Sequence, residues 1–81
     1  MIPGSPKWMH GGNILRKNRE RKGFTQERVV EMMGISLRTY QNWEAEKTDP
    51  DFGHVMAICE CVFKIDVLDA ITVARGAAVE N

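Results

Sequence analysis

Residues 25–44 read TQERVVEMMGISLRTYQNWE, and this stretch decides the fold. Its first residue and Ser36 both favour helix N-caps, and Gly34 between them tolerates the backbone of a helix stop. Tyr40 and Trp43 stand three residues apart, on one face of the second half. The pattern predicts two short helices joined by a tight turn that contains glycine.

The punctuation on either side of this stretch predicts three further short helices. The first is capped by Asn13, holds a dense basic run and stops at Gly23. A turn at residues 47–50 (KTDP) precedes a fourth, apolar helix, and a fifth runs from Asp66 to about Gly76. Strand-like alternation is not sustained and no repeat is found, so the expected fold class is all-α with five compact helices.

The ends of the chain differ from this plan. Residues 1–12 hold two of the three prolines and three of the seven glycines, with no helical or strand period. We expect them to be a disordered arm or a remnant of expression. Residues 13–76 are then the folded domain, and residues 77–81 are a short tail.

Composition limits the classes of protein. The 81 residues are 43% hydrophobic and 27% charged, which is typical of one small domain and excludes a large multi-domain enzyme. Eleven basic residues balance eleven acidic ones, yet residues 1–22 hold six basic residues and one acid. The neutral total hides a basic end, so any affinity for nucleic acid must come from local patches.

No apolar run approaches the roughly 18 residues of a membrane span, and the first residues lack the apolar core of a secretory signal. Cys59 and Cys61 are too close in sequence to staple a domain and are typical of reduced thiols. We therefore expect a cytoplasmic protein without a membrane partner.

The cysteine and histidine residues do not form a catalytic or metal-binding pattern. Cys59, Cys61 and His54 suggest a metal, but residues two apart on a helix point about 200° apart, and no fourth ligand is evident. The sequence has no glycine-rich phosphate loop and no nucleophile beside either histidine. We expect no metal, no cofactor and no enzymatic activity.

The polar face of the second helix in residues 25–44 suits a DNA major groove, which is about 12 Å wide and admits one helix. Arg38 can grip the two acceptors of guanine, and Asn42 can pair with adenine. Gln41 offers a similar contact. The ordinary alternative is a solvated surface, whereas Tyr40 and Trp43 follow the buried stripe and are assigned to the core.

The sequence resembles the Cro and phage-repressor helix-turn-helix family, also called the XRE family, whose pattern is Thr-Gln-x-x-(apolar)-(small)-x-x-x-Gly-(apolar)-Ser. The matching residues are Thr25, Gln26, Val29, Val30, Gly34, Ile35 and Ser36. Trp43-Glu44 and residues 47–50 look like the end of the family's recognition helix and the loop after it. The resemblance implies a lambda-repressor-like DNA-binding domain.

The same resemblance implies roles for individual residues. Five positions of the recognition helix would face the groove: Leu37, Arg38, Thr39, Gln41 and Asn42. Gln26 would meet a phosphate or a neighbouring base contact, and Arg19 with Glu44 would form a buried ion pair.

Further residues are candidates for contacts with the sugar-phosphate backbone of DNA. The basic run offers Arg16 and Lys17 from beside the groove-reading unit. In the loop, Glu46 and Asp49 are acids where the family approaches phosphate, which leaves Lys47, Thr48 and backbone N–H groups for that contact.

Two other residues depart from the family pattern. Val30 is bulkier than the usual small residue and suggests slightly different helix packing. Leu37 can touch a thymine methyl but cannot read a donor or acceptor.

These observations predict a sequence-specific regulator of transcription that binds duplex DNA, of the Cro-like repressor kind. A dimer would place two recognition helices on half-sites of a pseudo-palindromic operator, about 34 Å apart. The region after Phe63 has surplus apolar residues that suit the dimer surface, namely Val67, Leu68, Ile71, Val73 and Val79. One alternative is an antitoxin-type or phage regulator that also binds a protein partner. Another is a protein-interaction module that has lost DNA binding.

Overall fold

A computed structural model describes residues 9–76 of the chain. Five α-helices follow one another: α1 (Gly11–Lys22), α2 (Gln26–Met33), α3 (Leu37–Glu44), α4 (Phe52–Ala57) and α5 (Val67–Ala74). No strand occurs in this part of the chain. The predicted all-α, five-helix fold class is confirmed.

Local capping residues set most of the helix ends. Thr25 Oγ1 accepts the Arg28 N–H at 3.0 Å, and Ser36 Oγ accepts the Thr39 N–H at 3.3 Å. Gly34 has a φ of 69°, the left-handed conformation that ends α2 and opens the turn. The predicted caps of α2 and α3 are confirmed.

The predicted start of α1 is wrong. The helix begins at Gly11, and the residue that caps it is His10, whose Nδ1 accepts the Gly12 N–H at 3.0 Å. Gly12 lies against α3 so closely that a Cβ would stand 1.6 Å from the Trp43 carbonyl oxygen. Glycine is disfavoured inside helices, but this close approach excludes any larger residue.

The last residues of the expected disordered arm, residues 9–12, are therefore part of the folded domain. Residues 1–8 of that arm and the expected tail at residues 77–81 lie outside the described residues, as does Val79.

The fourth predicted helix continues beyond α4 as a π-helical turn, Ile58–Val62. Within it Cys59 is buried and Cys61 is exposed. Burial raises the pKa of the Cys59 thiol to about 12, so this thiol stays protonated at neutral pH. Among residues 9–76 no group of three or more histidine, cysteine or acidic side chains could hold a metal ion.

The core lies where all five helices meet. Leu15, Val29, Tyr40, Ile58 and Phe63 are its largest apolar side chains with under 2% exposure. The rings of Tyr40 and Trp43 meet edge to face at 6.2 Å, so both residues lie in the core as predicted.

Two features adjust the packing around this core. Val30, the bulky departure in α2, is half-buried against it. Asn18 binds α1 to α5, because its Nδ2 donates to the carbonyls of Ile14 at 2.7 Å and Ala70 at 3.0 Å.

No described helix has the length and apolar character needed to cross a membrane.

Candidate nucleic-acid interface

Helix α3 divides into an inner and an outer face. Tyr40, Trp43 and Glu44 are buried. The five predicted groove-facing side chains occupy the rest of the helix: Arg38, Thr39 and Gln41 are exposed, and Leu37 and Asn42 are half-buried. The helical period of 3.6 residues separates the two faces, so the structure brings these five positions to one surface.

The outer face keeps its hydrogen-bonding capacity. The side chains of Arg38, Thr39 and Asn42 have no hydrogen-bond or ion-pair partner within residues 9–76. Donors and acceptors that are satisfied by neither a cap nor a salt bridge remain available to base edges.

Gln41 differs from its neighbours on this face. Its Nε2 donates to Gln26 Oε1 at 3.3 Å, across the turn between α2 and α3. Gln26 Nε2 in turn donates to Glu44 Oε1 at 2.9 Å. These two contacts, which were not predicted from the sequence, hold the start of α2 against the recognition helix.

The expected ion pair is present. Arg19 Nε lies 2.8 Å from Glu44 Oε2, and its Nη2 lies 3.0 Å from Oε1. The third guanidinium nitrogen, Nη1, donates to the Phe24 carbonyl at 2.9 Å. With side-chain exposures of 16% and 3%, this two-pronged pair fixes α3 to α1 in a low-dielectric setting.

Electrostatics at this pair favour the charged carboxylate. Burial alone raises the pKa of the Glu44 carboxyl, but hydrogen bonds led by those from Arg19 outweigh it and hold the pKa below its ordinary value. Burial, helped by the neighbouring Glu44 charge, raises the pKa of Tyr40, so the phenol stays neutral. Glu44 is thus a structural anion with three other side chains arranged around it.

The loop after α3, residues 45–51, exposes the side chains of Lys47 and Thr48. Three of its backbone N–H groups, which were candidates for a phosphate contact, are hydrogen-bonded to carbonyls of α3. Those of Lys47 and Thr48 approach the Asn42 carbonyl at 3.0 and 3.5 Å, and that of Glu46 donates to Trp43 at 3.0 Å. They satisfy the last carbonyls of α3, so at residues 46–48 the side chains remain the groups that can meet a phosphate.

The basic run of α1 lies beside α3 in part. Gly12 and Arg19 both meet α3, and Arg16 falls between them on the helical stripe. Arg16 is half-buried, with Nη2 donating to Asn13 Oδ1 at 2.9 Å. Lys17 is exposed and lies one helical step of about 100° away from that stripe.

A second contact that the sequence did not predict lies at the start of α1. His10 Nε2 lies 2.7 Å from Asp49 Oδ1, which joins the cap of α1 to the loop after α3. The two residues are far apart in the sequence, so no local sequence pattern indicates that they pair.

The described part of the chain has no cleft suited to a small-molecule substrate.

A match to a protein family shows which family the chain belongs to. A family model described as helix-turn-helix matches residues 15–62, more than half of the 81 residues. The chain belongs to the XRE-type helix-turn-helix family. It is accordingly a DNA-binding regulator of XRE type, in a family that is regulatory and not typically enzymatic. No curated protein and no solved structure was found to match it significantly.

Proposed function

We propose that this XRE-type protein is a sequence-specific repressor of the Cro kind, which inserts α3 into the major groove of an operator. The observation that supports this most is the outer face of α3. Arg38, Thr39 and Asn42 stand there without partners among residues 9–76, and Tyr40 and Trp43 anchor the opposite face.

Each groove-facing side chain has a role that follows from its chemistry. Arg38 donates two hydrogen bonds to guanine, and Asn42 pairs with the edge of adenine. Leu37 contacts a thymine methyl, and Thr39 donates to or accepts from either kind of base. Gln41, already bonded to Gln26, contributes through its remaining amide hydrogen and carbonyl oxygen.

Other residues would contact the phosphates and so set the orientation of α3 without reading sequence. Lys47 and Thr48 do so from the loop, and Gln26 from the start of α2, where its side chain is half-buried. Arg16 suits this role better than Lys17, because it lies on the stripe of α1 that meets α3.

The proposed repressor acts as a dimer through α5. Leu68 is 70% exposed, the highest value among the large hydrophobic side chains of the described residues. Val67 and Ile71 beside it are half-buried. A second copy on this face would bury Leu68 and align two recognition helices about 34 Å apart on a pseudo-palindromic operator.

In this role the protein works in the cytoplasm, where it has access to duplex DNA, and it represses by occupying a site that overlaps a promoter. The exposed Leu68 also favours a second candidate, an antitoxin-type or phage regulator that binds a different protein through α5. A protein-interaction module without DNA binding is disfavoured by Arg38 and Asn42, whose side chains have no partner among the residues that the structure describes.

In-vitro selection from randomised duplex DNA at near-physiological salt tests the proposal. Repressor function predicts an enriched pseudo-palindrome with half-sites one helical turn apart, bound by two chains. Enrichment of a single half-site by one chain favours the regulator that depends on another protein. Absence of enrichment, from protein shown to be folded, contradicts both and favours the interaction module.

A further inference from the structure

The chain enters α1 through a histidine to which the proposed function assigns no role. His10 is 8% exposed; its Nδ1 accepts the Gly12 N–H at 3.0 Å, and its Nε2 lies 2.7 Å from Asp49 Oδ1. Because Nδ1 is an acceptor, the neutral ring has its proton on Nε2 and donates it to the carboxylate. One ring therefore caps α1 and binds the loop after α3.

That loop is fixed at both ends. At its start the Lys47 N–H donates to the Asn42 carbonyl at 3.0 Å. At its far end the buried Pro50 lies against Gly11, where an added Cβ would come 2.7 Å from Pro50 Cγ. Asp49 precedes this proline and provides the side-chain bond between the loop and the cap of α1.

Asp49 is an acidic residue in a loop that is proposed to contact a phosphate. It lies two residues from Lys47 and next to Thr48, the two loop side chains proposed to meet a phosphate. A carboxylate there repels the same phosphate and weakens binding. A residue that opposes binding by its charge and is bonded to a buried ring fits a role in geometry.

We propose that His10 and Asp49 form a positioning clamp that holds Lys47 and Thr48 at the height of the DNA backbone beside α3. The clamp rests on the proposed DNA-binding function, and it adds two residues to it. Neither touches DNA: His10 acts through Asp49, and Asp49 acts through the position of the loop.

The clamp and the charge of Asp49 have opposite effects on DNA affinity, so substitutions separate them. Asp49→Asn removes the charge and keeps an oxygen that accepts from His10 Nε2. Asp49→Ala removes both. Glu46→Gln is the matched control, since it removes a neighbouring negative charge from the same loop without touching the clamp.

Affinity is measured by fluorescence anisotropy of the full chain on a duplex enriched by selection and on a random duplex of equal length, across a range of salt. We expect Asp49→Asn and Glu46→Gln to bind as tightly as the parent protein or more tightly. Asp49→Ala should bind both duplexes several-fold more weakly than Asp49→Asn. Its salt slope should be smaller by about one, the loss of one phosphate contact.

His10→Asn tests the clamp from its other end. Asparagine is a good N-cap, so the variant keeps the cap of α1 while its shorter side chain loses Asp49. We expect it to weaken binding more than Asp49→Ala does, because it removes the clamp and keeps the negative charge of Asp49. The double variant should be no weaker than either single one, because both remove the same contact.

Two results would overturn the clamp. One is that Asp49→Ala binds as tightly as Asp49→Asn at every salt concentration. The other is that the effects of His10→Asn and Asp49→Ala add.

If the folded parent protein binds no duplex, the proposed function fails and the positioning role fails with it. The His10–Asp49 bond is then judged separately by the ¹⁵N resonances of the His10 ring. A proton on Nε2 and a bare Nδ1 support the bond, and the opposite tautomer contradicts it.

Discussion

Arg19 and Glu44 are the two residues on which the orientation of α3 depends most. Their side chains are 16% and 3% exposed, and each of two guanidinium nitrogens meets its own carboxylate oxygen. Removing one partner leaves the other charge buried and unpaired. The resulting loss of stability is larger than the net stabilisation that the intact pair contributes.

Arg19→Ala should therefore lower the free energy of unfolding by about 3 kcal/mol. Arg28→Ala is the matched control, because Arg28 pairs with Glu31 on the exposed surface of α2, where such pairs contribute less than about 1 kcal/mol. Urea denaturation of both variants gives the comparison. Equal losses in the two would show that the buried pair has no special structural role.

The same pair gives stability a defined dependence on pH. The pKa of Glu44 is lower in the folded protein than its ordinary value of 4.5, so the unfolded chain takes up a proton first as pH falls. The stabilisation is complete above about pH 4.5 and is lost as pH falls through the folded pKa.

Glu44→Gln should flatten this part of the pH profile. Asp51, whose pKa is lowered by its hydrogen bond to His54, titrates in both proteins and cancels in the difference. Urea denaturation of the two proteins from pH 6 down to pH 3 measures that difference, and the stability of the parent protein relative to the variant should fall as pH falls. A constant difference across this range would mean that Glu44 is not the responsible group.

At the scale of helices, the contact between α1 and α3 sets the position of the recognition helix. Gly12 is central to it, because its Cα lies where any Cβ would overlap the Trp43 carbonyl oxygen. A larger residue must push α1 away from the C-terminal end of α3.

Gly12→Ala should destabilise the protein by about 3 kcal/mol, the upper range for overpacking. Gly53→Ala offers the contrast. A Cβ there meets only the side chain of the exposed Asp51, at 3.3 Å, so helix propensity makes the change neutral or stabilising. Thermal denaturation distinguishes the two, and a tolerated alanine at Gly12 would contradict the close contact.

Helix ends were predictable from sequence where their causes are local. Thr25, Ser36 and Asp66 bond to N–H groups two or three residues ahead, and a sequence pattern contains both partners. The start of α1 was missed although its cap is also local, because His10, which accepts the Gly12 N–H, is not one of the residue types that usually cap a helix. The π-helical turn Ile58–Val62 likewise has no capping residue or glycine that announces it.

The candidate interface divides in the same way. The outer face of α3 was predictable, since helical periodicity alone separates Arg38 from Tyr40. The contacts from Gln26 to Glu44 and Gln41 depend on the angle between α2 and α3, which packing decides. The sequence thus predicts which side chains face outward but not what holds them in place.

At the scale of the whole molecule, the proposed assembly depends on Leu68. Leu68→Glu should leave the fold intact, because this side chain is already 70% exposed, and should convert a dimer to a monomer. Phe52→Glu is the control, since it removes another large exposed side chain, 61% exposed, from α4 instead. Sedimentation of the parent and both variants measures the change. A dimer that survives Leu68→Glu would place the interface elsewhere.

The central claim is that α3 reads base edges in duplex DNA through Arg38. Selection from randomised duplexes with the parent protein and with Arg38→Ala, at one salt concentration, tests it most directly. We predict that the parent protein enriches a defined site. The variant should lose about 1–3 kcal/mol of binding free energy on that site and show a relaxed base preference at one base pair of each half-site. Equal weakening on all sequences, with the preference at every position unchanged, would contradict the claim.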